Sequence, residues 1–157
     1  MTQTRILFIC HGNICRSVAA EMVLRDQIAQ RRLIGQFSVA SAAARHDELG
    51  NGIYPPMKAA LDRRGVPCVP HRAVLTTKAD YTNYDRIIGM DQENLRDMLR
   101  IYGGDPLGKL SLLNDWSGRG GEVDDPWYTR DFDGVLSEIM EGCEAVLVSL
   151  CAGGDQS

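Results

Sequence analysis

The sequence predicts an α/β fold: a four-stranded parallel sheet with helices on both faces and a phosphate-binding loop after the first strand. Three observations carry that prediction. Short apolar runs alternate with segments of helical periodicity in the order β-α-β-α-β-α-β-α, the pattern of parallel strands joined by crossover helices. The first run, RILFI, is continuous in β-forming apolar residues, as a strand covered on both faces is. That run stops at Cys10 in a tight turn, CHGNICRS, which opens directly into a helical pattern. Ligands of such sheets bind beyond the carboxyl ends of the strands, and Cys10 stands at one of those ends.

Arg5–Ile9 is the first predicted strand. From Ser17 onward Ala20, Val23, Leu24 and Ile28 recur at helical spacing, with Arg25, Gln27 and Arg31 between them, which predicts an amphipathic helix. Phe37–Ala42 (FSVASA) is the second strand. Pro55–Arg64 is a helix with proline at its start and Gly65 past its end. Arg86–Met90 (RIIGM) is the third strand. A helix over Asp91–Tyr102 follows, with Asp91 as N-cap and Gly103-Gly104 as its stop. Lys109–Leu113 (KLSLL) is the fourth strand, and Ser117–Thr129 a Gly-rich loop. Phe132, Val135, Leu136, Ile139, Met140, Cys143, Val146, Leu147 and Leu150 form the stripe of a long closing helix. The tail CAGGDQS is expected to fray. There is no linker, repeat or low-complexity segment, so residues 1–157 are expected to form one domain.

Composition bounds the function. Hydrophobic residues make up 44% and charged residues 24%, as in an ordinary globular chain. A net charge of -4 argues against a broadly basic nucleic-acid binder. The five cysteines (Cys10, Cys15, Cys68, Cys143 and Cys151) are odd in number and contain no Cys-x-x-Cys pair, so neither a disulfide framework nor a zinc site is suggested. The apolar run near the N-terminus is too short for a signal segment or a membrane span. A cytoplasmic protein with no membrane partner and no nucleic-acid partner is the expectation, with a monomer the favoured state.

The turn after the first strand has the parts of a phosphate cradle. Its backbone N–H groups, at a helix N-terminus, can converge on one anion. Gly12 supplies conformational freedom, and Asn13 tolerates a left-handed backbone. Arg16 adds a planar fork for two phosphate oxygens. A thiol at the base of the cradle, Cys10, feels the same positive field, which favours the nucleophilic thiolate. The bland alternative is a buried structural cysteine beside a surface arginine. Breaking a phosphoester also requires a proton donor for the leaving oxygen. The stretch VDDPWY offers one: Asp124 and Asp125 are adjacent, Pro126 stiffens the turn, and Trp127 and Tyr128 add flat walls. The same residues also read as a solvated loop ending in a helix N-cap.

With these residues in place, the chain resembles the low-molecular-weight protein tyrosine phosphatase family. Cys10-His11-Gly12-Asn13-Ile14-Cys15-Arg16-Ser17 is similar to that family's signature loop, and Asp125-Pro126 with two aromatics to its general-acid loop. Met90-Asp91, with Asn94-Leu95 beyond, resembles its third strand and helix, so the likeness spans almost the whole chain. The resemblance implies a protein tyrosine phosphatase acting on phosphotyrosine proteins and small aryl phosphates, with no metal and no cofactor. It implies that Cys10 attacks phosphorus and that Arg16, with the amides of residues 11–17, holds the phosphoryl oxygens. Asp125 would protonate the leaving phenol and then activate water. Ser17 would hydrogen-bond the Cys10 sulfur. Asn13 would hold the loop shape with Ser41 and His71 as outer supports, and Asp91 would brace the loop from the neighbouring strand.

By the same likeness His11 lines the mouth, and Trp127 and Tyr128 wall the cleft. Cys15 either closes a reversible disulfide with Cys10 or packs under the loop. This chain departs from the family pattern at Ala42-Ala43-Ala44, at the loop Arg45–Asn51, which lacks a cleft aromatic, and at Trp127, where a Tyr is common. An arsenate reductase on the same loop would need relay cysteines, and Thr77–Gly89 has none. A phosphocysteine carrier would have no use for the Asp125 acid. A branch of the family acts on phosphoarginine and tends to carry a Thr where Ile14 stands, so by the resemblance the bulkier apolar Ile14 favours phosphotyrosine.

Overall fold

The structure is a computed structural model that describes residues 3–154. Four strands, β1 (Thr4–Cys10), β2 (Phe37–Ala43), β3 (Arg86–Gly89) and β4 (Leu110–Leu112), form one all-parallel sheet in the order β2-β1-β3-β4. The first strand lies in the middle, so the turn that follows it emerges between its two neighbours. The register pairs Cys10 with Ala43, and Ile9 with Gly89.

Strand side chains alternate faces, and the core divides accordingly. On one face Ile6 and Phe8 pack with Val18, Met22 and Leu24 of α1 (Arg16–Gln30), with Leu61 of α2 (Pro55–Arg63), and with Leu136 and Leu147 of the closing helix. On the other face Leu7 and Ile9 pack with Tyr81 of α3 (Lys78–Asn83) and with Met98 and Tyr102 of α4 (Gln92–Tyr102). The sheet is thus covered on both faces, as predicted. Its outer strand β2 is extended by a bridge from Ala43 to Leu75.

Several details differ from the sequence reading. Helix α1 is not amphipathic along its length. Every residue from Arg16 to Leu24 is buried, and only the second half shows a wet face. The cause is its position against β1, β2 and the closing helix together. Helix α3 was not anticipated. It is a short turn nucleated by a capping box between Thr77 and Asp80. The fourth strand ends at Leu112, because Leu113 begins a one-turn helix, α5 (Leu113–Trp116). The loop expected over Ser117–Thr129 contains another, α6 (Pro126–Thr129), set up by proline at its first position. The closing helix α7 (Phe132–Gly154) runs through Cys151–Gly154, so that part of the expected frayed tail is helical. Residues 155–157 lie outside the described residues.

Candidate active site

The turn from Cys10 to Arg16 is shaped from outside. The carbonyls of Cys10 and His11 accept the N–H groups of Ala44 and Arg45, and that of Ile14 accepts the N–H of Tyr54 at 2.7 Å. The carbonyl of Asn13 accepts His71 Nε2–H at 2.6 Å. With its carbonyls anchored outward, the turn delivers its last N–H groups to the N-terminus of α1, where no intrahelical acceptor exists. Asn13 holds the left-handed conformation at φ +59°, which its short polar side chain tolerates. Gly12 does not have a positive φ. Space is tight there instead: a Cβ would lie 3.1 Å from Glu48 Cγ, so the Glu48 side chain would have to shift by a few tenths of an ångström. Proximity to the neighbouring loop, rather than backbone freedom, distinguishes this glycine.

Cys10 is 3% exposed at the floor of the turn. Its Sγ lies 3.0 Å from Ser17 Oγ and receives the Ser17 N–H at 3.4 Å. The Asn13 side chain is buried behind the turn. Its Nδ2 donates to Ser17 Oγ and Ser41 Oγ, each at 2.9 Å, and its Oδ1 accepts the N–H of Val74. Asn13, Ser17, Ser41 and His71 thus form one bonded set beneath the loop. The side chains of Asn13 and Ser17 support the cavity rather than line it.

Arg16 is 3% exposed, so it is not the surface arginine of the bland alternative. Its Nη1 donates to Asp91 Oδ2 and to the carbonyl of Val123, each at 2.9 Å. Its Nη2 stands 3.7 Å from Asp125 Oδ2. Burial works against the Arg16 charge, yet Cys10, Asp91 and Asp125 together raise its pKa above the ordinary guanidinium value. Asp91 does two jobs. One oxygen caps α4 at the Asn94 N–H and the other holds Arg16. Asp125 is also bifunctional. Its Oδ1 caps α6 at the Trp127 N–H, while Oδ2 faces Arg16. Asp124 is exposed and does not line the cavity, whereas Asp125 does.

Above this floor opens a cavity of about 470 Å³. Its walls bring together His11, Ile14, Trp127 and Tyr128 with Asp47 and Glu48 of the 45–51 loop, and add Tyr54, Glu93, Arg96 and Glu122, which the sequence did not suggest. Tyr54 supplies the aromatic missing from Arg45–Asn51. Its ring centroid is 5.2 Å from that of Trp127 and 5.8 Å from that of Phe132. A tyrosine just ahead of Pro55-Pro56 was the only available signal, because its inward turn depends on the Ile14 carbonyl that its N–H reaches.

His11 bridges two carboxylates, with Nε2 2.6 Å from Asp47 and Nδ1 2.9 Å from Glu93. Cys15 is free and partly buried against the core. Burial first, then the fields of Cys10 and Asp125, push its thiol up, so it stands protonated at neutral pH. Cys143 is buried in the core and its thiol too is pushed up by burial, while Cys68 and Cys151 are partly exposed. His46 is an exposed loop residue.

A sulfur and a guanidinium gather at the N-terminus of the helix that follows the central strand, and a carboxylate faces the guanidinium in a walled cavity. A family model described as low molecular weight phosphotyrosine protein phosphatase matches residues 5–154, and the chain belongs to that family. The low molecular weight protein-tyrosine-phosphatase YfkJ of Bacillus subtilis is 33% identical over 147 residues, covering 92% of this chain and 94% of that protein. The low molecular weight phosphotyrosine protein phosphatase of Homo sapiens is 33% identical over 147 residues, covering 90% of this chain and 92% of that protein. The crystal structure of YfkJ superposes with a TM-score of 0.94 at 31% identity, covering 98% of each chain.

Proposed function

We propose that this chain hydrolyses phosphotyrosine in proteins, and small aryl phosphates, through a phosphocysteine on Cys10. The observation that carries the reading is Arg16, which lines one aromatic-walled cavity together with Asp125, 3.7 Å away, and feels the charge of the buried Cys10 sulfur behind it. The relatives' names, which give phosphotyrosine protein as their substrate, support the same reading.

In the first step the Cys10 thiolate attacks phosphorus. The S–P bond forms, the P–O bond to the phenol breaks, and Asp125 gives its proton to the departing oxygen. Arg16 and the turn amides carry the charge of the three equatorial oxygens. In the second step water attacks phosphorus and loses its proton to the Asp125 carboxylate. The S–P bond breaks, releasing inorganic phosphate and the thiolate. Ser17, 3.0 Å from the sulfur, stabilises the anion that leaves.

Cys10→Ser should abolish turnover of an aryl phosphate. Asp125→Ala should slow it by roughly 10²–10³-fold and make the rate depend more steeply on leaving-group acidity. Mass spectrometry of a quenched reaction should find phosphate on Cys10. Turnover by Cys10→Ser, or phosphate trapped on another residue, overturns the reading.

A further inference from the structure

Glu21 is a carboxylate in the buried half of α1, 7% exposed, among Val18, Met22 and Leu24. A carboxylate there is costly unless fully partnered, and nothing in the reaction scheme uses it. Its partners lead to the sulfur. Val74 N–H donates to Asn13 Oδ1 at 3.2 Å, which sets which way the Asn13 amide faces. The Asn13 NH₂ group, having hydrogens only to give, therefore donates to both hydroxyls, Ser17 and Ser41. Each hydroxyl keeps one hydrogen to place. That of Ser41 goes to Glu21 Oε1 at 2.6 Å, and Glu21 Oε2 is held by Arg25 Nε–H at 2.9 Å. Arg25 is fixed in turn by the Val39 carbonyl. That of Ser17 is left facing Cys10 Sγ at 3.0 Å.

We propose that Glu21 is a positioning residue whose carboxylate, acting through Ser41 and Asn13, fixes the Ser17 hydroxyl as a donor to the Cys10 sulfur. Val74 N–H holds the Asn13 oxygen on one side, and Glu21, by taking the Ser41 hydrogen, keeps that hydrogen from competing for the same oxygen. Without Glu21 the Ser41 hydrogen has no outlet and draws the Asn13 oxygen toward the hydroxyls, and Ser17 donates to that oxygen instead of to sulfur. The inference rests on the reading of Cys10 as nucleophile, and its test is independent of turnover.

Alkylation of Cys10 by iodoacetamide measures how much of the sulfur is anionic, with Cys10→Ser as the blank for the other four cysteines. Glu21→Gln keeps the shape, but the charged Arg25 Nε–H claims its one remaining oxygen, so its NH₂ is presented to Ser41 and the chain is broken there. E21Q should alkylate roughly 3–10-fold more slowly than wild type at pH 6, and at about the wild-type rate at pH 9. Its kcat on an aryl phosphate should fall about as much, with KM changed less than about twofold. Ser41→Ala should behave alike, and the double variant should be no slower than the slower single.

A wild-type rate at pH 6, an equal loss at both pH values, or additive losses in the double variant would each overturn the relay. Should E21Q not fold, S41A decides. A loss confined to pH 6 supports the relay, and any other pattern overturns it. Because alkylation needs no turnover, the relay can fail while Cys10→Ser still abolishes hydrolysis, and the reverse.

Discussion

Single residues in this molecule are asked to satisfy two neighbours at once, and His11 is the clearest case at the rim of the cavity. Burial opposes its charge, but hydrogen bonds and charges from Glu93 and Asp47 outweigh that and raise the imidazole above 6.5. Asp47 is held below its ordinary value, chiefly by the hydrogen bond to His11. The signs define a window. The His11 contribution is complete below 6.5 and is lost as pH rises through the raised folded value. The Asp47 contribution is present above 3.8 and is lost as pH falls through its lowered folded value. The clasp joining the 45–51 loop to α4 is therefore firmest in mildly acidic solution and loosens on the alkaline side. A ring titration of His11 by NMR should place it above 6.5, and His11→Gln should flatten the alkaline fall in thermal stability. An imidazole titrating at or below 6.5 would rule the clasp out. The sequence placed His11 at the mouth, but its two partners come from a loop 36 residues away and a helix 82 residues away, beyond the reach of any local pattern.

Elements are joined by residues that cap one and hold another. Asp91 begins α4 and grips Arg16, and the two jobs separate by substitution. Asp91→Asn keeps an oxygen for the Asn94 N–H and loses the ion pair, while Asp91→Ala loses both. D91N should melt close to wild type and D91A should be less stable by about 1 kcal/mol, the ordinary worth of a cap. Both should lower kcat/KM, because Arg16 keeps only the Val123 carbonyl and a longer contact to Asp125. Unchanged kcat/KM in D91N would detach Asp91 from the site. The cap was legible in the sequence from Asp91 and Asn94, whereas the carbonyl of Val123 carries no residue-type signal at all.

The packing of α5 on α7 gives a second test at this scale. A Cβ on Gly142 would stand 2.5 Å from Leu113 Cγ. Alanine gains about 1 kcal/mol of helix propensity there but forces an overpacked contact costing about 1–3 kcal/mol. Gly142→Ala should therefore lower the melting temperature by a few degrees, and a higher one would show that Leu113 moves freely.

At the scale of the whole molecule, the cavity exists because four separate segments meet above one strand end. The turn after β1 makes the floor, the loop after β2 and Tyr54 one wall, the start of α4 a second, and α6 a third. Cys10 lies at the bottom, 3% exposed. On the proposed function, a phosphoryl group on a phenol ring reaches the sulfur while the ring rests against the Tyr54–Trp127 pair, whereas the short arm of phosphoserine leaves the peptide backbone against the rim. Peptides carrying phosphotyrosine should give kcat/KM at least about 10²-fold above matched phosphoserine peptides. Comparable values would mean that depth does not select the substrate.

The order of the four strands and of the long helices between them, the turn that gathers Cys10 and Arg16, and the cap at Asp125 were determined by the sequence alone, because each depends on neighbours within a few positions: apolar period, a cap, a proline, a left-handed asparagine. Only the tertiary structure decided that Glu21 lies under the loop, that Tyr54 completes the wall, that Gly12 stands tight against Glu48, and that α1 is buried on all sides through its first half. Each of these is a contact between segments that the sheet brings together from distant parts of the chain. Such contacts follow from the order β2-β1-β3-β4, and no local periodicity encodes them.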